Sequence, residues 1–296
     1  MNEYLKHIVN KYRFSAWLIV FLVLLLFVPL LISANYNFLA KILGIVITVL
    51  ISIALWNWRM QTARKIIKAS RIKLNLNDRF WLDRHIKFYS KLNKSDKIVF
   101  EDRIGLFLAE IIISEIGKEV PDKETCFYVA SSAIIAYWGL PYWNYGELSE
   151  VIVYPDNFTS DNLVKENAFI EGKVHHGGIM DATMILSLTA LKKGFSTNLD
   201  YENVGIHEFS HLIDKSDGQI DGKPYFIEKE EEFIWFRLLD EEINKIKNNN
   251  SDINPYASSN YSEFFSVIME YYKEHPLDFE KKHPKLSHFL NKKLMN

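Results

Sequence analysis

The chain has 296 residues, 48% of them hydrophobic and 24% charged, which is enough apolar material for one sizeable core and something beyond it. A formal net charge of −2 leaves no basic surplus to neutralise phosphates, which argues against nucleic acid as a partner. The single cysteine, Cys126, cannot close an intramolecular disulfide; this fits a reducing compartment, and the apolar helical pattern around it reads as core.

Phe14 to Ser33 is an uncharged run that at about 1.5 Å per residue covers the roughly 30 Å hydrocarbon core of a bilayer. After the polar link Asn35-Tyr36-Asn37, a second apolar run, Ile42 to Trp58, carries Trp56 and Trp58 where a membrane interface favours them. Residues 1–73 are therefore predicted to form a two-helix transmembrane hairpin, with spans at about 14–33 and 38–58. A cleaved signal peptide fits less well, because the first run is long for such a segment and a second span follows at once. Lys6, Lys11 and Arg13 precede the first span and Arg59, Arg64, Lys65, Lys68, Arg71 and Lys73 follow the second, whereas the link contributes only Lys41. Cationic flanks stay in the cytoplasm, so the expected topology is two-pass in the cell (inner) membrane with both ends cytoplasmic. The basic stretch Arg59 to Lys73 has no acidic residue and suits equally a segment near anionic headgroups and a plain solvated linker.

Residues 74–296 read as one domain with no internal repeat. Asp78 to Leu92 and Asp122 to Trp138 have helical apolar spacing, the second stopped by Gly139-Leu140-Pro141. Val151-Ile152-Val153-Tyr154 reads as a strand, and a further strand, Ile179 to Leu188, follows the turn His175-His176-Gly177-Gly178, whose histidines read as loop residues near a cleft mouth. A motif helix is expected from about Glu202 to Lys215, a long charged helix from Pro224 to about Lys247, and a last helix starting near Ser259 and stopped by Pro276. Helix, strand, strand, motif helix is an α+β order.

Within the motif helix, His207-Glu208-Phe209-Ser210-His211 is an HExxH pentapeptide. Residues four apart share a helix face, so His207 and His211 can offer two imidazoles to one Zn²⁺ with Glu208 beside it as a base. A catalytic zinc takes three protein ligands and keeps a fourth position for water, so one ligand is missing from the motif. Glu263 and Glu270, seven apart on one face of the last helix, compete for that place, and spacing alone does not choose between them; whichever is not the ligand can accept from a ligand imidazole. Asp214 stacks on the face of His207 and His211 and is a third option.

The stretch His207 to Asp214 with Asp217-Gly218 and Asp221-Gly222-Lys223-Pro224 resembles the zinc peptidases of the Mlc titration factor A family, glutamate-type zincins distantly related to the anthrax lethal factor catalytic domain. Val151 to Pro155 with Phe158, Tyr256-Ala257-Ser258-Ser259 running into Ser262-Glu263-Phe264-Phe265, then Glu270-Tyr271-Tyr272, Pro276 and His283-Pro284 extend the resemblance over roughly residues 75–290. It implies a zincin-like fold, one zinc per chain held by His207, His211 and Glu263, Glu208 as general base, and Tyr256 as a phenol donating to the oxyanion of the tetrahedral intermediate. The strand Ile179 to Leu188 would then offer an edge to an extended substrate.

The expected function is a membrane-anchored, cytoplasm-facing zinc metallopeptidase acting on peptide or protein substrates; the resemblance suggests aminopeptidase action, and the residues do not decide between exo- and endopeptidase. HExxH lies far from either span, which argues against intramembrane proteolysis. The alternative, which the family's namesake keeps open, is a regulatory binding protein that sequesters a transcriptional regulator or other partner at the membrane, its zinc site structural or vestigial. An intact Glu208 weighs against it, since a structural zinc gains nothing from a base.

Overall fold

The computed structural model describes residues 3–33, 37–69, 74–140, 144–156, 172–174, 182–196 and 202–294. Its contacts divide the chain into two compact units, Met1–Ile72 and Lys73–Asn296.

The first unit is two long helices, α1 (Glu3–Ser33) and α2 (Phe38–Ala69), both continuing past the apolar runs into polar flanks. Trp17 meets Trp56 edge to face at 5.3 Å. Arg59 Nε donates to Ser15 Oγ at 2.8 Å, and its guanidinium lies 4.7 Å from the Tyr12 ring centroid. These contacts bring the start of α1 and the end of the apolar part of α2 to the same end of the hairpin, so the described parts of the two cationic flanks lie together. Thr48 and Ser52 satisfy their hydroxyls on the carbonyls of Gly44 and Thr48, one turn back. Apolar side chains such as Phe21, Leu26 and Leu50 stay more than half exposed. The helices are long and apolar enough to cross a bilayer over Val9–Pro29 and Phe38–Lys65.

The second unit is mostly helical around a small sheet. Asn75 and Asp78 form a reciprocal capping box that starts α3 (Leu76–His85). Ile86 then turns extended and buries its side chain completely, separating α3 from α4 (Lys87–Lys91). The single helix expected over Asp78 to Leu92 is thus two, because burying Ile86 requires a break in the helical path. There follow α5 (Lys94–Glu110), β1 (Ile112–Glu115), α6 (Lys123–Ala136), β2 (Glu150–Tyr154), β3 (Gly172–Val174) and β4 (Thr183–Ser187). The sheet order is β1-β2-β4-β3. β2 runs parallel to β1 and β4, with Val151 facing Ile113 and Met184, and β3 is antiparallel to β4. β1 is absent from the sequence reading, although Ile111-Ile112-Ile113 is a β-branched run of the kind strands favour. Of the strand expected over Ile179 to Leu188, residues 183–187 form β4 and Leu188 opens α7 (Leu188–Ser196); residues 179–181, Phe158 and His175 to Gly178 lie outside the described residues.

The motif helix, α8 (Val204–Asp214), begins one residue after Asn203, whose side chain caps it by accepting from Ile206 N at 3.2 Å. A 3₁₀ turn and Gly218 end it. Pro224 opens turns rather than a helix: Ile227 N bonds to Pro224 O and Glu231 N to Glu228 O, and α9 (Glu232–Lys247) starts only after them. Asn260 caps α10 (Tyr261–Glu274), which is followed by α11 (Pro276–Lys282) and α12 (Pro284–Leu294).

The core lies where α8 crosses α6 and α10. Ile206, Phe209 and Ile213 are fully buried, with the Phe209 ring 5.7 Å from Phe107 and 5.9 Å from Tyr145. The crossing of α8 on α6 is close because Gly205 has no side chain: a Cβ there would meet Ser132 Oγ at 2.1 Å. Behind α10, the buried His283 sits between Glu242 Oε2 at 3.2 Å and Asp252 Oδ1 at 2.7 Å. Asp252 also accepts from Tyr271 and Lys282, and Glu242 from Lys245. Burial opposes the charge on His283, but the two carboxylates overcome it and raise its pKa.

Gly205→Ala should lower unfolding free energy by about 1–3 kcal/mol in urea titrations, the usual cost of overpacking, and Ser132→Gly in the same chain should restore most of it. Because the folded His283 pKa is raised above its ordinary value of about 6.5, its stabilisation is complete below pH 6.5 and is lost as pH rises through the folded pKa. Melting temperature should therefore decline from pH 6.5 upward, and His283→Gln should flatten that slope.

Candidate metal centre

One turn of α8 puts the Nε2 atoms of His207 and His211 3.1 Å apart. Glu263, in the first turn of α10, brings Oε2 to 3.0 Å from His207 Nε2 and 3.4 Å from His211 Nε2. Bonds of about 2.0 Å in a tetrahedral site place ligand atoms about 3.3 Å apart, so the three donors form one face of such a tetrahedron. Among the described residues they are the one group of His, Cys, Asp or Glu side chains gathered closely enough to hold a metal ion.

The outer nitrogens are also engaged. His207 Nδ1 donates to Glu270 Oε1 at 2.5 Å, and Glu270 Oε2 accepts from the backbone N–H of Asn203 at 2.7 Å. His211 Nδ1 lies 3.1 Å from Ser262 Oγ. Asp214 lies near Ser262, which helps to hold its carboxyl down against burial, and its Oδ2 accepts from Gly222 N at 3.0 Å. With each Nδ1 held by an oxygen, Nε2 is the free lone pair on both rings, as a metal site requires. Burial works against a proton on His207, yet Glu270 and then Glu263 hold its pKa well above the ordinary range. A field that holds a proton there favours a cation at the same place.

Gly222 ties the α9 side to this arrangement. Its φ of +77° suits glycine, a Cβ would meet Tyr261 O at 2.4 Å, and its carbonyl accepts from Trp235 Nε1 at 2.7 Å. Glu208 is 7% exposed beside the donors; burial raises its pKa, and the two imidazoles oppose the rise. Tyr256 sits in a short 3₁₀ turn (Pro255–Ser258) capped by Asn254, with its ring 6.1 Å from that of His207. Partial burial, then the Glu263 carboxylate, push its phenol up to about 12.

The family model for the glucose-regulated metallo-peptidase M90 matches residues 56–293. The chain belongs to the M90 metallopeptidase family. An uncharacterized protein of Synechocystis is 26% identical over 217 residues, covering 70% of this chain and 79% of its own length. Mlc titration factor A of Escherichia coli is 26% identical over 151 residues, and that of Pectobacterium atrosepticum 27% over 152. Both alignments cover 46% of this chain, which thus spans about half the length of these relatives (55%). An M90 chain whose His-His-Glu cluster fits a metal has the donor set of a metallopeptidase.

The residues predicted for the site, His207, Glu208, His211, Tyr256 and Glu263, are brought together in space. The two competitors for the third ligand position lie behind it, Glu270 on His207 and Asp214 toward His211 through Ser262. Of the strand expected over Ile179 to Leu188, the described part, β4, is paired by β2 on one side and, at Met184 to Leu186, by β3 on the other, so it offers no free edge there. Within the described sheet the edge strands are β1 and β3. Sequence reasoning missed Ser262 and Asn203; an Asn one residue ahead of the motif helix is a cap signal, and it also donates to Glu270.

Glu270→Gln and Ser262→Ala should each weaken Zn²⁺ binding about 10- to 100-fold, the range typical of groups supporting ligand histidines, measured by competition with a chelator of known affinity.

Proposed function

We propose that this M90 chain is a membrane-anchored zinc peptidase that hydrolyses peptide bonds at the His207–His211–Glu263 centre. The near-tetrahedral spacing of the three donors, 3.0, 3.1 and 3.4 Å, is the observation that carries this reading. Zinc fits two imidazoles and one carboxylate, and when bound it supplies Lewis-acid polarisation and a lowered water pKa. Glu208 takes a proton from the attacking water and returns it to the leaving amine; its raised pKa brings it nearer the range in which both transfers are efficient. Tyr256, its pKa pushed up to about 12, keeps its proton at neutral pH and donates to the developing oxyanion. Glu270 and Ser262 hold the two imidazoles in the tautomer and orientation this requires. We assign residues 1–73 to the anchor and 74–296 to the zincin-like peptidase domain. The cationic flanks, brought together by the Arg59–Ser15 contact, support a two-pass topology with the peptidase on the cytoplasmic side.

The name Mlc titration factor A, borne by several relatives, favours a second reading, in which the domain binds a regulatory protein. Glu208→Gln separates the two. It should leave Zn²⁺ per chain unchanged and reduce cleavage of a mixed peptide library about 10²- to 10⁴-fold, whereas a pure binding role would leave partner capture untouched and show no cleavage in either protein. Tyr256→Phe should cost about 10²- to 10³-fold in kcat with KM little changed. Full activity in the Glu208→Gln protein would sink the mechanism.

A further inference from the structure

Lys273, in the last turn of α10, is 7% exposed, and its ammonium donates to the backbone carbonyl of Trp138. It lies 5.2 Å from the Tyr272 ring centroid. Among the described residues no carboxylate comes within ion-pair distance of it. A buried ammonium has three N–H groups and a large desolvation cost, so one carbonyl and one ring leave it under-partnered. Burial, then the Arg103 charge, push its pKa down to about 7.

The same residue lines a cavity of about 220 Å³. Ile135 and Gly194 are buried on its walls, Phe88, Leu92 and Phe195 are half-buried, and Lys87 and Lys91 are exposed. The one carboxylate on the wall, Glu274, accepts from Asn203 Nδ2 at 2.9 Å. An apolar hollow with the buried Lys273 on its wall and the exposed Lys87 and Lys91 beside it complements a molecule with an apolar body and one negative end. At about 30 Å³ per water-sized unit the space corresponds to roughly seven such units, the size of a small organic acid.

We propose that this cavity is a binding site for a small monocarboxylic acid with an apolar body, the carboxylate completing the hydrogen bonds of Lys273 and the body lying against Phe88, Leu92, Ile135 and Phe195. It is distinct from the metal centre, and its occupancy does not depend on the peptidase reading.

The test is calorimetric titration of the full chain in detergent with hexanoate, and with hexanol and hexylamine as isosteric controls. Hexanoate should bind one per chain with Kd on the order of 0.1–1 mM, and the alcohol and amine at least about tenfold more weakly. Lys273→Met should weaken hexanoate at least about tenfold while leaving hexanol unchanged, and Leu92→Trp, at a half-buried wall position, should abolish both. If Lys273→Met does not fold, the acid–alcohol comparison and Leu92→Trp still decide. Equal affinity for hexanoate and hexanol, or unaltered hexanoate binding in either variant, overturns the proposal.

Discussion

All four ring nitrogens of His207 and His211 are met from α10. Glu263 faces both Nε2 atoms, Glu270 takes Nδ1 of His207, and Ser262 stands at Nδ1 of His211. Three positions on one helix therefore fix the orientation of two rings on another, and the crossing of α8 and α10 must hold to within the tolerance of a hydrogen bond. Much of the surrounding fold serves that tolerance. Asn203 sets where α8 begins and Asn260 where α10 begins, while Gly205 lets α8 sit hard against α6. Gly222 locks the start of α10 through Tyr261 and the motif helix through Asp214.

The same arrangement explains how so many acidic groups are kept inside. Glu208, Glu270 and Asp214 are nearly or fully buried, and burial raises the pKa of each. Their positive counterweights are the two imidazoles, backbone N–H groups at Asn203 and Gly222, and whatever cation occupies the three donors. Charge burial on this scale adds little stability by itself.

The HExxH pentapeptide was legible because helical periodicity makes its geometry a property of five residues. The resemblance separated Glu263 from Glu270, a choice that rests on where one helix sits along another. Ser262 was readable as a motif letter but not as a partner of His211, since that contact joins residues 51 apart. The misread elements share a cause. β1 is four residues long, Ile86 breaks a helical pattern to bury one side chain, and residues 224–231 look like a helix start yet make i→i+3 turns. Each was decided by tertiary packing over a stretch too short for a periodic signal. That β4 has neighbours on both sides was not legible, because pairing partners belong to the sheet and not to the strand.

Glu263 lies 56 residues beyond His207, and between them run the motif-helix exit, the turns before α9, α9 itself and the Tyr256 turn. An ion held by both would act as a removable cross-link closing that loop, and loop closure of this length is a substantial entropy for the unfolded chain to surrender. Metal supply would then add to the stability of the domain as well as serve its chemistry, and withdrawing the metal would make that stability smaller.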